Sequence, residues 1–323
     1  MYSIRVGLIG TGYAAKARAE SLMADSRAKL VAVAGRSLEK TREFCQAYGA
    51  EPLTAWLDLL HRPDLDLVII ASVNADHAAM VRNALQAERH VVVEYPLALS
   101  WSEAAALVEL SQTQNRLLHV EHIELLSGIH QAVRQALPTI GTPFYVRYAN
   151  LNAQHPAPNK WTYAYEQFGF PLVGALSRLH RLINLFGNVA TVSCQAQYWQ
   201  GATPEFFAAC LCTAQLRFMS GLVADLIYGK GETVWQSSRT LEIQAERGGI
   251  FVEGEQGKLV LPDQSEPLQL GSRRGLFAKD TAMVLDHLIT GAPLYVSLAD
   301  SLYALKVADA AHCSATTGQT VNL

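Results

Sequence analysis

The sequence predicts an α/β protein in two parts. A doubly wound parallel sheet comes first, and an α+β domain built on a large, mostly antiparallel sheet follows. Three observations carry this. A short apolar run, Val6 to Ile9, breaks at a glycine loop and resumes as a helical pattern. Apolar strands then alternate with helices as far as Leu137, the order that a parallel sheet requires. From about Thr142 the pattern becomes alternating strands separated by Gly and polar turns, which marks hairpins. The division is placed at residues 1–122 and 123–323, and a chain of 323 residues suffices for two cores.

The first strand ends in Gly10-Thr11-Gly12-Tyr13-Ala14-Ala15. This matches the G-x-G-x-x-G/A dinucleotide fingerprint in context as well as spelling, because it follows a strand and opens a helix that runs through Leu22. Gly10 permits the tight turn and Gly12 lets the backbone approach a pyrophosphate. Ala15 lets helix and strand pack closely. The helix N-terminus, with Thr11 and Tyr13 beside it, then presents its N–H groups to the phosphates. The expected architecture of residues 1–122 is therefore a Rossmann domain.

Lys29 to Ala34 is the second strand, and it ends at Gly35-Arg36-Ser37. An Asp or Glu here would hold the ribose 2′-hydroxyl of NAD. Arg36 and Ser37 offer a cation and a hydroxyl donor instead, which suit a 2′-phosphate. A solvated loop arginine is the plain alternative. The position favours NADPH, with NADH as a weaker cofactor.

Leu38 to Tyr48 reads as a helix closed by Gly49. Asp66 to Ala71 is a buried strand, and Ser72 to His77 leads into a helix through Ala87. His90 to Glu94 is the next strand, with Tyr95-Pro96 after it and a helix over Ser102–Thr113 that Ser100 or Ser102 would cap. Leu117 to Glu121 is one more strand, and Ile123 to Leu137 has helical spacing. Ligands of an open parallel sheet sit beyond the carboxyl ends of its strands. That rule gathers Ser72, Asn74, His77 and Glu94 with the glycine loop as cofactor-binding candidates, and Tyr95 and His122 as neighbours of the reacting centre.

In the second part, strands are expected over Pro143–Asn150, Thr191–Tyr198, Phe207–Phe218, Gly221–Tyr228, Thr240–Ala245, Gly249–Glu253 and Lys258–Leu261. A helix interrupts them from Leu172 to Phe186, closed by Gly187. Two more run over Lys279–Leu288 and Leu298–Ala311. In the interrupting helix Leu176, Leu179, Ile183 and Phe186 form the packing stripe, while Arg178 and Arg181 share another face. Two guanidinium groups so placed suit a dicarboxylate, or are simply solvated. The same two readings hold for Arg273-Arg274, between Gly271 and Gly275.

Composition narrows the function. A net charge of −3, with 17% charged residues and no basic run, gives no support for a nucleic-acid partner. No apolar segment reaches membrane-spanning length, and Arg5 with the glycine loop interrupts the start where a signal peptide would lie. Five scattered cysteines are expected to be reduced thiols in a cytoplasmic protein. Cys210 and Cys212 share a strand face and read as core. His119-Val120-Glu121-His122 lacks the zincin spacing and sits at a strand end, so His119 and Glu121 share one face, His122 takes the other, and no metal is expected.

Hydroxyl oxidation by NAD(P) commonly uses a lysine base. Tyr95 stands where one would be useful, and a phenol is a poor base at neutral pH. Its ring suits a flat ligand. The layout resembles the glucose–fructose oxidoreductase and inositol dehydrogenase superfamily, which typically reads Glu-Lys-Pro where this chain has Glu94-Tyr95-Pro96. That tyrosine, with Leu118-His119-Val120-Glu121-His122-Ile123-Glu124-Leu125-Leu126, Phe168-Gly169-Phe170-Pro171 and Ser177-Arg178-Leu179 leading to Leu185-Phe186-Gly187, is similar to the biliverdin reductase family. Ile227 to Glu232 and Gly271 to Phe277 are similar to its cyanobacterial branch.

The resemblance implies hydride transfer from NADPH to C10 of biliverdin, giving bilirubin. It implies Arg178 as the first catalytic residue, with His122 and Tyr95 beside it, and Tyr95, His122, Arg178, Arg181 and Arg274 around the tetrapyrrole. A monomer is expected. The rivals are a sugar or polyol dehydrogenase of the superfamily, which the missing lysine opposes, and a non-catalytic NADP-sensing regulator.

Overall fold

The computed structural model describes residues 3–323. β1 (Ile4–Ile9) passes through the glycine loop into α1 (Tyr13–Met23). The alternation continues through β2 (Ala28–Ala34), α2 (Leu38–Tyr48), β3 (Glu51–Leu53), α3 (Trp56–Leu60), β4 (Leu67–Ile70), α4 (Asn74–Gln86), β5 (His90–Val93), α5 (Trp101–Thr113) and β6 (Leu118–Val120). The six strands form a parallel sheet of order β3-β2-β1-β4-β5-β6. The order reverses between β1 and β4, so the carboxyl ends of those strands are where such a sheet takes a ligand. Central strands read as unbroken apolar runs because both faces are covered. Val6, Leu8, Ile69, Ile70, Val92 and Val93 are all buried. Ser37 caps α2 and Ser100 caps α5, each accepting a backbone N–H of the first turn. β3 and α3 were not expected. They are too short for a periodic pattern to show.

After a 3-10 turn over Ile123–Leu126, α6 (Gly128–Ile140) leads to β7 (Pro143–Ala153). The single helix expected from Ile123 is thus broken at Ser127, whose side chain caps α6. Short helices α7 (Tyr165–Phe168) and α8 (Pro171–Gly174) precede α9 (Leu176–Phe186). The helix expected from Leu172 is split at Ala175. Phe168 presses so closely on Gly174 that an added Cβ there would lie 2.5 Å from its ring. The strands β8 (Val189–Gln200), β9 (Phe207–Phe218), β10 (Val223–Gly231), β11 (Ser238–Ala245), β12 (Gly248–Glu253), β13 (Gln256–Leu261), β14 (Gln264–Pro267) and β15 (Val321–Asn322) complete a nine-stranded sheet with β7. Its order is β14-β13-β12-β11-β7-β10-β9-β8-β15. Neighbours are antiparallel except β7 and β10, which run parallel. No hairpin can join parallel strands, and the excursion through α9, β8 and β9 supplies the crossover. Alternate residues such as Val146, Tyr148, Leu226 and Ile243 are buried on the face that carries the helices.

One compact unit comprises Met1–Leu126 with Gly275–Leu302, and the other Ser127–Arg274 with Tyr303–Leu323. α10 (Leu276–Thr290) belongs to the first unit because Val284 and Leu285 are buried in a core with Ile4, Val6 and Leu22. α11 (Leu298–Thr317) carries the chain back into the second. Among the described residues no helix is long and apolar enough to cross a membrane.

Candidate functional site

The glycine loop has the geometry its spacing implies. Gly10 has φ +120°, and a Cβ added there would lie 2.2 Å from the Ala71 carbonyl oxygen. A larger residue is therefore excluded by strain and by space together. Gly12 is the N-cap of α1, has open space before it, and leaves the helix N-terminus without a side-chain cap. Ala15 is buried beneath the loop. A Cβ on Gly35 would meet Thr41 Oγ1 at 2.5 Å and Thr11 Cγ2 at 3.0 Å, so the end of β2 closes tightly on the loop. Tyr13 is 83% exposed, with its ring edge-on to Phe277. Exposed N–H groups, close backbone and an uncapped helix fit a dinucleotide pyrophosphate. Arg36 is exposed at the end of β2. Ser37 Oγ accepts from Lys40 N at 3.4 Å, which leaves its hydroxyl proton free to donate.

At the ends of β4, β5 and β6 the expected residues divide. Ser72 is half-buried and Asn74 is buried as the first residue of α4. His77, expected to line the cofactor, braces the turns at Pro96 and Ser72. Its buried ring lies with Nδ1 2.8 Å from the Pro96 carbonyl and Nε2 3.3 Å from that of Ser72. Burial holds its imidazole below the ordinary range. Tyr95 is half-buried and its ring stacks on His122, with centroids 5.8 Å apart and planes 8° from parallel. His122 is buried, so its ring backs Tyr95 rather than standing at an open face.

Behind these strand ends lies a buried network that the spacing of motifs did not reveal. Arg18 Nε donates to Glu94 Oε1 at 2.9 Å, and Arg18 Nη1 donates to Asp280 and, at 3.1 Å, to Thr281. His119 Nε2 lies 2.8 Å from Asp280 Oδ1, and Tyr295 donates to the same oxygen at 2.8 Å. Tyr295 in turn accepts the His122 backbone N–H. Burial would raise the Asp280 carboxyl, but Arg18 and His119 outweigh it and hold it well below the usual range. His119 thus meets Asp280, while the charge of Glu121 acts on Arg18. Glu94 is thus engaged by Arg18 as well as standing at the cofactor end of β5. One signal pointed to the network: Arg18 sits on the same helical stripe as Ala15, Ala19 and Leu22, where an apolar residue belongs.

In the second unit, Arg178 lies in the first turn of α9 and is half-buried. Its Nη1 donates to Ser177 Oγ at 2.8 Å, and its guanidinium lies 5.9 Å from the Tyr228 ring centroid. Arg181 does not join it in a surface clamp. It is 2% exposed, donating to Tyr148 at 3.1 Å and to Ser127 Oγ at 3.2 Å. Three residues turn the helix through about 300°, and the roughly 60° left over separates a residue at the helix edge from one beneath it. Arg274 is exposed on a turn tied by Ser272, and that turn is anchored where Gly128 N donates to Ser272 O at 3.2 Å. Lys230, passed over in the sequence, is buried with Nζ 3.4 Å from the Phe168 ring centroid and near Tyr163 and Phe207. Burial lowers its amine to about 8.

Residues 4–122 match the model of an oxidoreductase family's NAD-binding Rossmann fold, and residues 137–323 match that family's C-terminal alpha/beta domain. The crystal structure of biliverdin reductase from Synechocystis sp., in complex with biliverdin and NADP+, is similar over 97% of this chain and 99% of that one. It has 48% identity and a TM-score of 0.95. Levoglucosan dehydrogenase, in complex with NADH and L-sorbose, shares the fold alone, with 18% identity and a TM-score of 0.87 over 100% of this chain and 99% of that one. Biliverdin reductase A of Mus musculus is 35% identical over 136 residues, which span 42% of this chain and 43% of that protein, less than half of either. The glycine cradle, the Glu94-Tyr95 turn and the domain pair are thereby accounted for together: the chain belongs to this oxidoreductase family and, within it, to the biliverdin reductases.

Proposed function

We propose that the protein reduces biliverdin to bilirubin with NADPH. The observation that carries this is the pairing of an uncapped glycine cradle with tyrosine, not lysine, at position 95, in a chain 48% identical to a biliverdin reductase. NADPH, when bound, supplies the hydride that is added at C10 of the tetrapyrrole. Gly10, Thr11, Gly12 and Tyr13 hold the pyrophosphate, and Arg36 with Ser37 takes the 2′-phosphate. Tyr95, stiffened from behind by His122, offers a flat apolar ring to a conjugated ligand. Arg178 meets the negative charge that hydride addition leaves on the bilin. A guanidinium stays protonated throughout, so it stabilises that charge without giving up a proton. Arg274 offers a second cation for a propionate. The absence of a lysine base at position 95 disfavours sugar oxidation. The reading extends to a cytoplasmic monomer, consistent with thiols that are all free.

The test is the absorbance of biliverdin mixed with NADPH and protein: the biliverdin band falls as the bilirubin band grows. Arg178→Ala should lower kcat by about 100-fold, as removal of a charge-stabilising donor does, with NADPH affinity unchanged. Equal turnover in the variant removes Arg178 from the mechanism. No conversion by the wild-type protein, with NADPH bound, removes the reading itself.

A further inference from the structure

Lys230 of β10 is buried in the second unit, and among the described residues no carboxylate pairs with it. Its Nζ donates to the Thr162 carbonyl. Three rings complete its surroundings: Nζ lies 3.4 Å from the Phe168 ring centroid, 4.7 Å from that of Tyr163 and 5.2 Å from that of Phe207. The negative faces of these rings stand where an anion would otherwise be needed. An ammonium so placed does what an alkyl chain cannot, since it ties a backbone carbonyl and three rings to one point. Two of those rings belong to the segment that leads into α9. Thr162 and Tyr163 lie in the 3-10 turn Trp161–Tyr163, and Phe168 ends α7. Phe168 in turn presses on Gly174, where an added Cβ would lie 2.5 Å from its ring, and there α8 gives way to α9. Ala175 is the N-cap of α9 and offers no side-chain cap, and Arg178 N donates to Ala175 O at 3.1 Å in the first turn. The path returns to its starting strand. Tyr228 and Lys230 are two residues apart on β10 and share a face, so the face that holds Phe168 through Lys230 also meets the Arg178 guanidinium, 5.9 Å from the Tyr228 ring centroid.

We propose that Lys230 sets the position of Arg178, by pinning Tyr163 and Phe168 to β10 and so fixing where α9 begins. Its kinetic consequence rests on the bilin reading, which gives Arg178 a charge to stabilise. Lys230 acts through Phe168 and Gly174 and is a positioning residue. A guanidinium stabilises developing charge best from one place, and a misplacement of about 1 Å can cost about 100-fold in rate. With no side-chain cap to fix the start of α9, the aromatic anchor in front of it does so. Residues 168–171 and 227–232, to which neither cofactor nor substrate gives a role, meet at this ammonium.

Nitrogen-15 NMR of the protein without ligands reads the position of Arg178. Its Nε–H resonance, identified by its loss in Arg178→Ala, should move in Lys230→Met, which keeps the bulk of the side chain and removes the charge. It should move in Phe168→Leu as well, where the ammonium stays and loss of its field cannot be the reason. A merely structural role would lower stability in both variants and leave the resonance in place. In the reaction, Lys230→Met should bind NADPH as the wild type does and lose about tenfold in kcat, a part of what full misplacement costs, while the KM for biliverdin hardly changes. In an Arg178→Ala background the same substitution should cost nothing more, because residues that act as one unit do not add. Phe168→Leu gives the same two kinetic results should the methionine variant fail to fold. An unmoved resonance, wild-type kcat in Lys230→Met, or a further tenfold loss on top of Arg178→Ala overturns the proposal. A wild-type protein that binds NADPH yet leaves biliverdin untouched overturns the bilin reading instead, and the resonance alone then decides whether Lys230 places Arg178.

Discussion

A guanidinium taken out of water must find anions or it destabilises the fold, and Arg18 finds Glu94 and Asp280. Breaking a buried pair strands the remaining charge. Asp280→Asn should therefore cost about 3–5 kcal/mol, measured as a lower urea midpoint. Two groups set the acid response. His130 is held neutral by burial and by Arg181, at about 4 against an ordinary 6.5. The unfolded chain binds that proton first, so the stability His130 contributes is complete above pH 6.5 and is lost as pH falls toward about 4. Asp280 has a depressed carboxyl, and its contribution holds above 3.8 and fades as pH falls below. Urea titrations across that range should show two successive declines, and His130→Gln should flatten the first. Arg36 is legible from sequence alone, because its place at the end of β2 carries the meaning. Arg36→Ala should raise the KM for NADPH about tenfold, the loss of one charge-assisted contact, while that for NADH hardly moves. Equal effects on both would refute the phosphate assignment. Arg181 was not legible in the same way. Helical spacing places it three residues from Arg178, but only the position of the sheet decides which of the two lies beneath the helix.

Among the elements, those with a strong local signal came through: β9 has the bounds that its alternation predicts, Phe207–Phe218. The breaks in α-helical runs at Ser127 and Ala175 did not, since a capping serine and a glycine under Phe168 look like ordinary helix residues until the partner is known. The N-terminus of α6 shows how an element can hold a distant loop. A Cβ on Gly128 would lie 2.1 Å from the Gly271 carbonyl carbon, and Gly128 N donates to Ser272 O. Gly128→Ala must push the turn that carries Arg274 away, at a cost of about 1–3 kcal/mol for overpacking. The expected result is a raised KM for biliverdin with NADPH affinity unchanged, read by steady-state kinetics and cofactor fluorescence. An unchanged KM would take Arg274 out of the binding site.

At the scale of the molecule, the two-part architecture and the parallel sheet were legible in the period of the apolar runs. The return of α10 to the first core was not, because α10 has the pattern of any amphipathic helix and nothing local assigns it to one core or the other. The pairing of Arg18 with Asp280 across 262 positions does so. That separation has a meaning during synthesis. A ribosome releases the chain from its N-terminus, and domains ordinarily fold in the order they emerge. Here β1 to β6 come out first, yet the helix that completes their core and neutralises Arg18 leaves the exit tunnel only after the whole of the nine-stranded sheet except β15 has been made. The half-built first unit must wait with an apolar flank exposed and Arg18 answered by Glu94 alone, while the later-born second unit has almost all of its strands in hand. A fragment of residues 1–126 should accordingly remain incompletely folded, and should become stable once 275–302 is supplied in trans. For this chain, the part that is translated first is finished nearly last.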